Sequence, residues 1–274
     1  MRVRCGGESH RGRAIDLRDR SVDPSALLAA IRSPDDGVVA APSPGPVHEF
    51  VGRLGPGTDC PLRRCLAAAA RSRGVASPFD DAIAQVDAAL AAIETEPVDL
   101  AALRRRVAET GADVARLRER VAHLRGRIGA RRDAGLADAD AAVELREAIT
   151  ALSEAETAEL AAEQALAAGE RSARRARDAR ERRLSLADRR DNRARRARRW
   201  LAAHEASRFA RALAALPVAS SAGANPVDYD GDPLHAAMAA ARLASVRAPL
   251  VVVDGPFPSA VAARAALDAP VVLV

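Results

Sequence analysis

At 274 residues the chain has room for one or two ordinary domains. It is 49% apolar, but much of that is alanine, and aromatics make up only 2% (Phe50, Phe79, Trp200, Phe209, Tyr229 and Phe257). Aromatics dominate the energetics of thick cores, so this composition suits thin helix–helix seams and long helices. All 42 basic residues are arginine. Without lysine, neither a phosphate loop, whose lysine reaches the β/γ-phosphates, nor a Schiff-base enzyme can be built from this chain.

The net charge of +5 and a pI near 10.2 favour a polyanionic partner such as nucleic acid. Cys5, Cys60 and Cys65 are odd in number and form no CxxC pair, which reads as reduced thiols in a cytoplasmic protein. No apolar run is long enough to span a membrane, and MRVRCGGESHRGR lacks a signal peptide's apolar stretch. The chain is therefore expected to be cytoplasmic, with no membrane contact.

In chain order, MRVRC and RGRAIDL flank GGES and predict a β-hairpin with a four-residue loop. Asp23-Pro24 opens a short helix, with Asp23 as N-cap and Pro24 in its first turn. GVVAA predicts a third strand. The Pro/Gly-rich stretch that follows allows only a short strand around His48–Leu54. Residues 1–60 thus read as the N-terminal α/β part of a head.

From Pro61 the pattern turns helical. A first helix over 62–73 ends at Gly74. A second begins near Ser77-Pro78, carries Ile83, Val86, Leu90 and Ile93 on one face, and is broken by Pro97. Leu103, Val107, Thr110, Val114, Leu117, Val121, Leu124 and Ile128 then alternate spacings of 4 and 3, an a/d seam over about four heptads. Gly126, Gly129 and Gly135 are expected to interrupt it, with a turn at about 129–137. Helix resumes near Asp138 and meets no proline until Pro217. Some 75 residues rising roughly 1.5 Å each make a helix on the order of 110 Å long, which needs a partner along its length.

Charge identifies that partner. Residues 98–132 hold ten arginines against four acids, and residues 138–169 hold eight acids against Arg146 alone. Doubling back near residue 134 lays the two segments antiparallel. Outward in the same register, the acidic stretch 77–96 (Asp80, Asp81, Asp87, Glu94, Glu96) faces about 172–191, part of a run, 170–199, with fourteen arginines and five acids. Pro97 falls opposite about 171, beside Gly169. Alternation of sign in step on both arms is how flanking charges select orientation and register. Exposed pairs contribute only ~0–1 kcal/mol each, so the pattern specifies more than it stabilises.

After Pro217 comes a turn-rich linker. Asp232-Pro233 then starts a helix, PLVVVDG is a strand, PSAVAARAAL a helix with Ser259 as N-cap, and APVVLV a last strand. Strand–helix–strand of this length is a right-handed βαβ unit, and its wholly apolar strands require cover on both faces. Residues 217–274 should pack on the N-terminal strands. The expected fold is mainly α, a long antiparallel coiled-coil hairpin over 61–216 inserted in a small α/β head made from both termini.

Candidate chemistry is sparse. Arg189, Arg190, Arg193, Arg195, Arg196, Arg198 and Arg199 form the densest part of a continuous basic helix, able to lie along phosphates. The bland reading, favoured from sequence, is a solvated helix paired with the facing acids, since the arginines spread around it and Trp200 is the lone neighbouring aromatic. His48 and Glu49 in the head loop, and Asp254 at the end of LVVVDG where ligands of parallel sheets gather, are the only head candidates. For Asp254 a turn-forming role is the simpler reading. Cys60-x₄-Cys65 fits no familiar zinc spacing and reads as buried thiols. No metal and no cofactor is expected.

GPVHEFVG, LAAAARSRG, APLVVVDGPFPS and LDAPVVLV, bracketing an Arg/Ala/Glu coil, resemble an uncharacterised coiled-coil family of halophilic archaea. The likeness spans most of the chain and implies no activity and no catalytic residues. The layout of head halves at both termini around a coil is also distantly similar in shape to chromosome-maintenance ATPases, whose phosphate loop is missing here.

Two functions follow as expectations. The first is a non-enzymatic coiled-coil scaffold that binds a protein partner. The alternative is a nucleic-acid-associated protein that holds phosphate through the Arg-rich helix 170–211. An enzyme would need His48 and Asp254 in one pocket. Oligomeric state is not legible.

Overall fold

The computed structural model describes residues 1–33, 37–94, 97–136 and 138–274; Glu96, counted among the acids above, lies outside them. The chain forms two compact units, residues 1–85 with 190–274, and residues 86–189. This division falls inside the segment 61–216 expected as hairpin, because the helix after Pro61 and the last turns of the longest helix belong to the first unit.

The first unit is the α/β head. Strands β1 (Arg2–Cys5) and β2 (Glu8–Arg11) pair antiparallel, with Cys5 opposite Glu8. The expected four-residue loop is in fact the two-residue turn Gly6-Gly7. Both residues have positive φ (55° and 83°), the conformation a tight hairpin turn demands and glycine supplies. RGRAIDL is not one strand either. Gly12 separates β2 from β3 (Ala14–Asp16), which joins the other sheet.

Helix α1 (Pro24–Arg32) is capped as expected, Asp23 accepting from the amides of Ser25 and Ala26 at 3.0 and 3.1 Å. Strand β4 (Val39–Ala40) pairs with β1. The strand expected over His48–Leu54 is instead a one-turn helix, α2 (His48–Val51), followed by β5 (Arg53–Leu54). Helix α3 (Leu62–Ser72) follows, then α4 (Asp80–Ala91).

At the far end of the chain lie α7 (Pro233–Leu243), β6 (Leu250–Val252), α8 (Ala260–Leu267) and β7 (Val271–Leu273). Asp232 and Ser259 cap the two helices. Strands β6 and β7 are parallel and form the centre of a four-stranded sheet ordered β3-β7-β6-β5, in which every pairing is parallel. Both termini therefore contribute strands to one sheet.

Period-2 alternation sorts the sheet's side chains. Leu250, Val252, Val271 and Leu273 pack with α3, α7, α8 and residues 202–213, whereas Val251 and Val272 pack with Ile15, Leu27, Ile31, Val3 and Val39. The central strands are covered on both faces, as their wholly apolar sequences require.

The second unit contains α5 (Leu100–Asp133) and most of α6 (Ala139–Ala214). All eight seam positions from Leu103 to Ile128 are buried or half-buried, and Val121 and Leu124 cluster with Leu145, Ala148 and Leu152 of α6. The pairing is antiparallel. Arg118 meets Glu156 at 2.8 Å, Gly111 lies beside Glu159, and Gly169 sits under Leu103. A β-carbon at 169 would come within 2.4 Å of Leu103 Cδ1 and 3.5 Å of Val98, so the break at Pro97 and the glycine on the other arm do fall together.

Gly126 and Gly129 do not interrupt α5, which runs on to Asp133; only Gly135, with φ 70°, belongs to the turn. Two interior glycines cost a packed helix only about 1 kcal/mol each. Asp138 restarts the chain as a helix, accepting from Ala141 N–H and bridging Arg127 at 2.9 Å and Arg131 at 3.4 Å. That amide and those guanidiniums hold its carboxyl below the usual range.

Residues 190–214 of α6 bury Ala197, Leu201, Glu205, Phe209 and Leu213, a stripe repeating every fourth residue. Ala67 and Ala70 of α3 pack on Leu201, and Arg73 reaches Glu205, which is fully buried. Arg73 also donates to Leu243 O at 2.9 Å, while Glu205 Oε2 has no hydrogen-bond partner among the described residues. The loop from α3 to α4 is fastened by Arg71, whose two terminal nitrogens donate to Asp80 at 2.5 Å, while Asp80 also accepts from Ser77. These contacts hold the Asp80 carboxyl far below the ordinary carboxylate range, Arg71 being the largest cause.

Two outcomes test this account in chemical denaturation. Arg73→Met leaves the buried Glu205 carboxylate with only the weaker Arg208 contact at 3.5 Å among the described residues and should cost about 3–5 kcal/mol, most of it recovered by adding Glu205→Leu. In the second unit, Leu124→Ala should cost about 2–5 kcal/mol, whereas Glu156→Gln should change stability by less than about 1 kcal/mol. The opposite ranking would make charge, not the seam, the main source of stability.

Candidate functional site

The head-loop candidates are not brought together. His48 is 1% exposed, and its Nε2–H donates to Pro249 O at 2.9 Å, which leaves Nδ1 unprotonated and without a hydrogen-bond partner among the described residues. Pro249 precedes β6 and Asp254 follows it, so His48 and Asp254 mark opposite ends of that strand, roughly 16 Å apart at ~3.3 Å per residue. Asp254 adopts φ 45° and serves as a turn residue. Glu49 is exposed and stands 3.8 Å from Arg64.

At the carboxyl end of β3 the chain forms an exposed ion pair of its own. Arg18 donates to both oxygens of Asp16 (2.9 and 2.6 Å) and to Pro258 O at 3.0 Å. The Arg18 guanidinium, helped by Ala260 N–H at the start of α8, holds the Asp16 carboxyl below its ordinary value.

The seven arginine candidates separate. Arg195, Arg198 and Arg199 join Arg63 and Arg64 of α3 around a concavity of about 450 Å³, whose lining is arginine throughout. Arg193 and Arg196 occupy the other side of α6, beside Trp200 and the His204 ring stacked on it at 5.2 Å. Arg190 stands 3.6 Å from Asp191, and Arg189 belongs to the second unit. Around the concavity, Arg63 pairs with Asp228 at 2.5 Å, Arg64 with Glu49, and Arg195 donates to Asn192 at 2.8 Å. Arg198 and Arg199 have no carboxylate partner among the described residues.

Sequence reasoning missed Arg63 and Arg64. Their one signal is an adjacent pair at the head of an otherwise apolar helix, LRRCLAAAARS. The pair lies between Cys60 and Cys65, whose thiols share a hydrogen bond. That bond and burial push Cys65 well above the usual thiol range, while accepting it lowers Cys60.

Next to the arginines a second hollow of about 370 Å³ is lined mainly by apolar residues, among them Pro46, Phe50, Ala67, Ile83 and Leu201, and it shares Arg64 and Arg198 with the first. The Arg64 guanidinium lies 5.2 Å from the centre of the Phe50 ring. Chemically the pair of hollows offers a dense, fixed positive charge next to apolar surface. No group of three or more His, Cys, Asp or Glu among the described residues could hold a metal ion. No helix among them is long and apolar enough to cross a membrane.

Comparison with known proteins adds the family. A profile described as "Family of unknown function (DUF7856)" matches residues 12–271. The chain belongs to this family. The DUF7856 match covers both the head and the coil, in keeping with the resemblance to an uncharacterised family. No curated protein and no solved structure matches the chain.

His48 supplies a pH test of the head. Burial, opposed by the bond to Pro249 and aided by the charge of Arg32, lowers its pKa below the ordinary histidine value. The unfolded chain then takes up a proton near pH 6.5 while the folded one resists, so stability falls as pH drops through and below that value. Melting curves from pH 7.5 to 5 should show a steeper loss for the wild type than for His48→Gln; parallel curves would mean that His48 is not held neutral.

Proposed function

We propose that this DUF7856 protein is a non-enzymatic nucleic-acid-associated protein that holds backbone phosphate in the concavity formed by Arg63, Arg64, Arg195, Arg198 and Arg199. The single observation that carries this reading is the convergence of five guanidiniums from two helices, with Asp228 and Glu49 the only carboxylates paired with them among the described residues. Guanidinium matches phosphate oxygens in a fixed, bidentate geometry. The apolar contact of Ala67 and Ala70 with Leu201 brings the two helices together, and nothing in that contact requires arginine at all five surrounding positions.

The coil supports a second, compatible reading as a spacing arm for a protein partner. Within its unit α5 and α6 neutralise each other through pairs such as Arg118–Glu156, which suits a structural element more than a polyanion surface.

Binding of a labelled oligonucleotide, followed by anisotropy against salt, tests the proposal. Affinity should fall log-linearly with salt. Arg195→Gln/Arg198→Gln/Arg199→Gln should abolish it, whereas Arg193→Gln/Arg196→Gln should cost far less. Equal losses from the two variants would show diffuse attraction and no built site.

A further inference from the structure

Resting on that reading, we infer that the ligand is single-stranded nucleic acid, with a phosphate in the arginine concavity and the adjoining base in the apolar hollow beside Phe50. The two hollows share Arg64 and Arg198. A group bound in the first therefore has the second within reach of the same side chains. Their chemistries differ in the way the two halves of a nucleotide differ. One is lined by guanidiniums, the other mainly by apolar side chains such as Phe50, Ile83 and Leu201, with Arg64, Arg71 and Arg198 also in its lining.

A duplex presents phosphates but keeps its bases stacked inside, so the apolar hollow would stay empty beneath it. Unstacked bases of a single strand are the species that lie on aromatic rings and guanidinium planes. Phe50 and Arg64 already form such a pair, 5.2 Å from guanidinium carbon to ring centre, at the border of the two hollows. Charge complementarity selects the anion, and the Phe50 hollow adds a preference for an exposed π-face. Every base has such a face, so recognition would be tolerant of sequence.

The experiment compares three probes at fixed low salt on the full chain: oligothymidine, the same backbone lacking bases, and a duplex of equal length. Oligothymidine should bind roughly five- to hundredfold tighter than the abasic strand. Phe50→Leu, which keeps apolar bulk without a π-face, should reduce oligothymidine to the abasic level, and Phe50→Tyr should retain the preference. Arg198→Gln should weaken all three probes. Equal binding of the abasic strand, or duplex binding as tight as the single strand, overturns the base-hollow assignment and leaves phosphate binding standing. A 5′-mononucleotide, added as a fourth probe, overturns it in favour of a free nucleotide if it binds as tightly as oligothymidine. If the wild type binds none of the probes, the phosphate reading falls as well.

Discussion

A 76-residue helix with charge of both signs along its length cannot persist without matched neighbours, and that constraint orders everything else here. Isolated helices gain little from propensity; stability comes from packing an apolar face. Helix α6 meets the requirement twice. In the second unit it lays alanines and leucines against the a/d seam of α5. In the first, its stripe of Ala197, Leu201, Glu205, Phe209 and Leu213 enters the core beside α3 and α7. The first solution is a shallow seam of small side chains. The second reaches the parallel sheet, where both termini of the chain are tied together.

What was readable in the sequence was what repeats. The seam from Leu103 to Ile128, the sign match between residues 98–132 and 138–169, the caps Asp23, Asp232 and Ser259, and the parallel pairing of the last two strands all follow from periodicity or local chemistry, and each is present in the fold. Where sequence reasoning failed, local signals were weak or tertiary context overrode them. Gly6-Gly7 could form a two- or four-residue loop, and only the pairing of Cys5 with Glu8 decides. Gly126 and Gly129 look like breakers, yet Val121 and Leu124 hold their turns packed. His48–Val51 lacks helical periodicity altogether, being one turn long.

The site was half legible for the same reason. A run of arginines announces itself, but its meeting with Arg63 and Arg64 is a product of chain topology. Helix α3 docks on the sheet side of α6 because its alanines, Ala67, Ala69 and Ala70, are small enough for close approach, and its leading arginines are carried along. Charge counting over residues 170–199 treated those arginines as one block facing acids. The fold splits them, and the helix beside Arg195, Arg198 and Arg199 brings more arginine.

That juxtaposition is electrostatically unfavourable to the isolated protein. Like charges on neighbouring helices repel, and the same α6 shows in the second unit how readily carboxylates are placed against arginines, as with Arg118 and Glu156. An acid at position 195 or 199 would relieve the head without touching its core, since both positions are exposed. Sequences that specify a fold keep local and global preferences consistent, and the exceptions cluster where something other than stability is served. In this chain the buried Arg73–Glu205 pair and the Arg71–Asp80 clamp show arginines neutralised where structure requires it. Arg198 and Arg199, on neighbouring surface, have no such partner among the described residues. Arg193 and Arg196 also lack a carboxylate partner among the described residues, so the convergence of Arg195, Arg198 and Arg199 with Arg63 and Arg64 is the reason to read the concavity, and not the whole run, as a place for an anion.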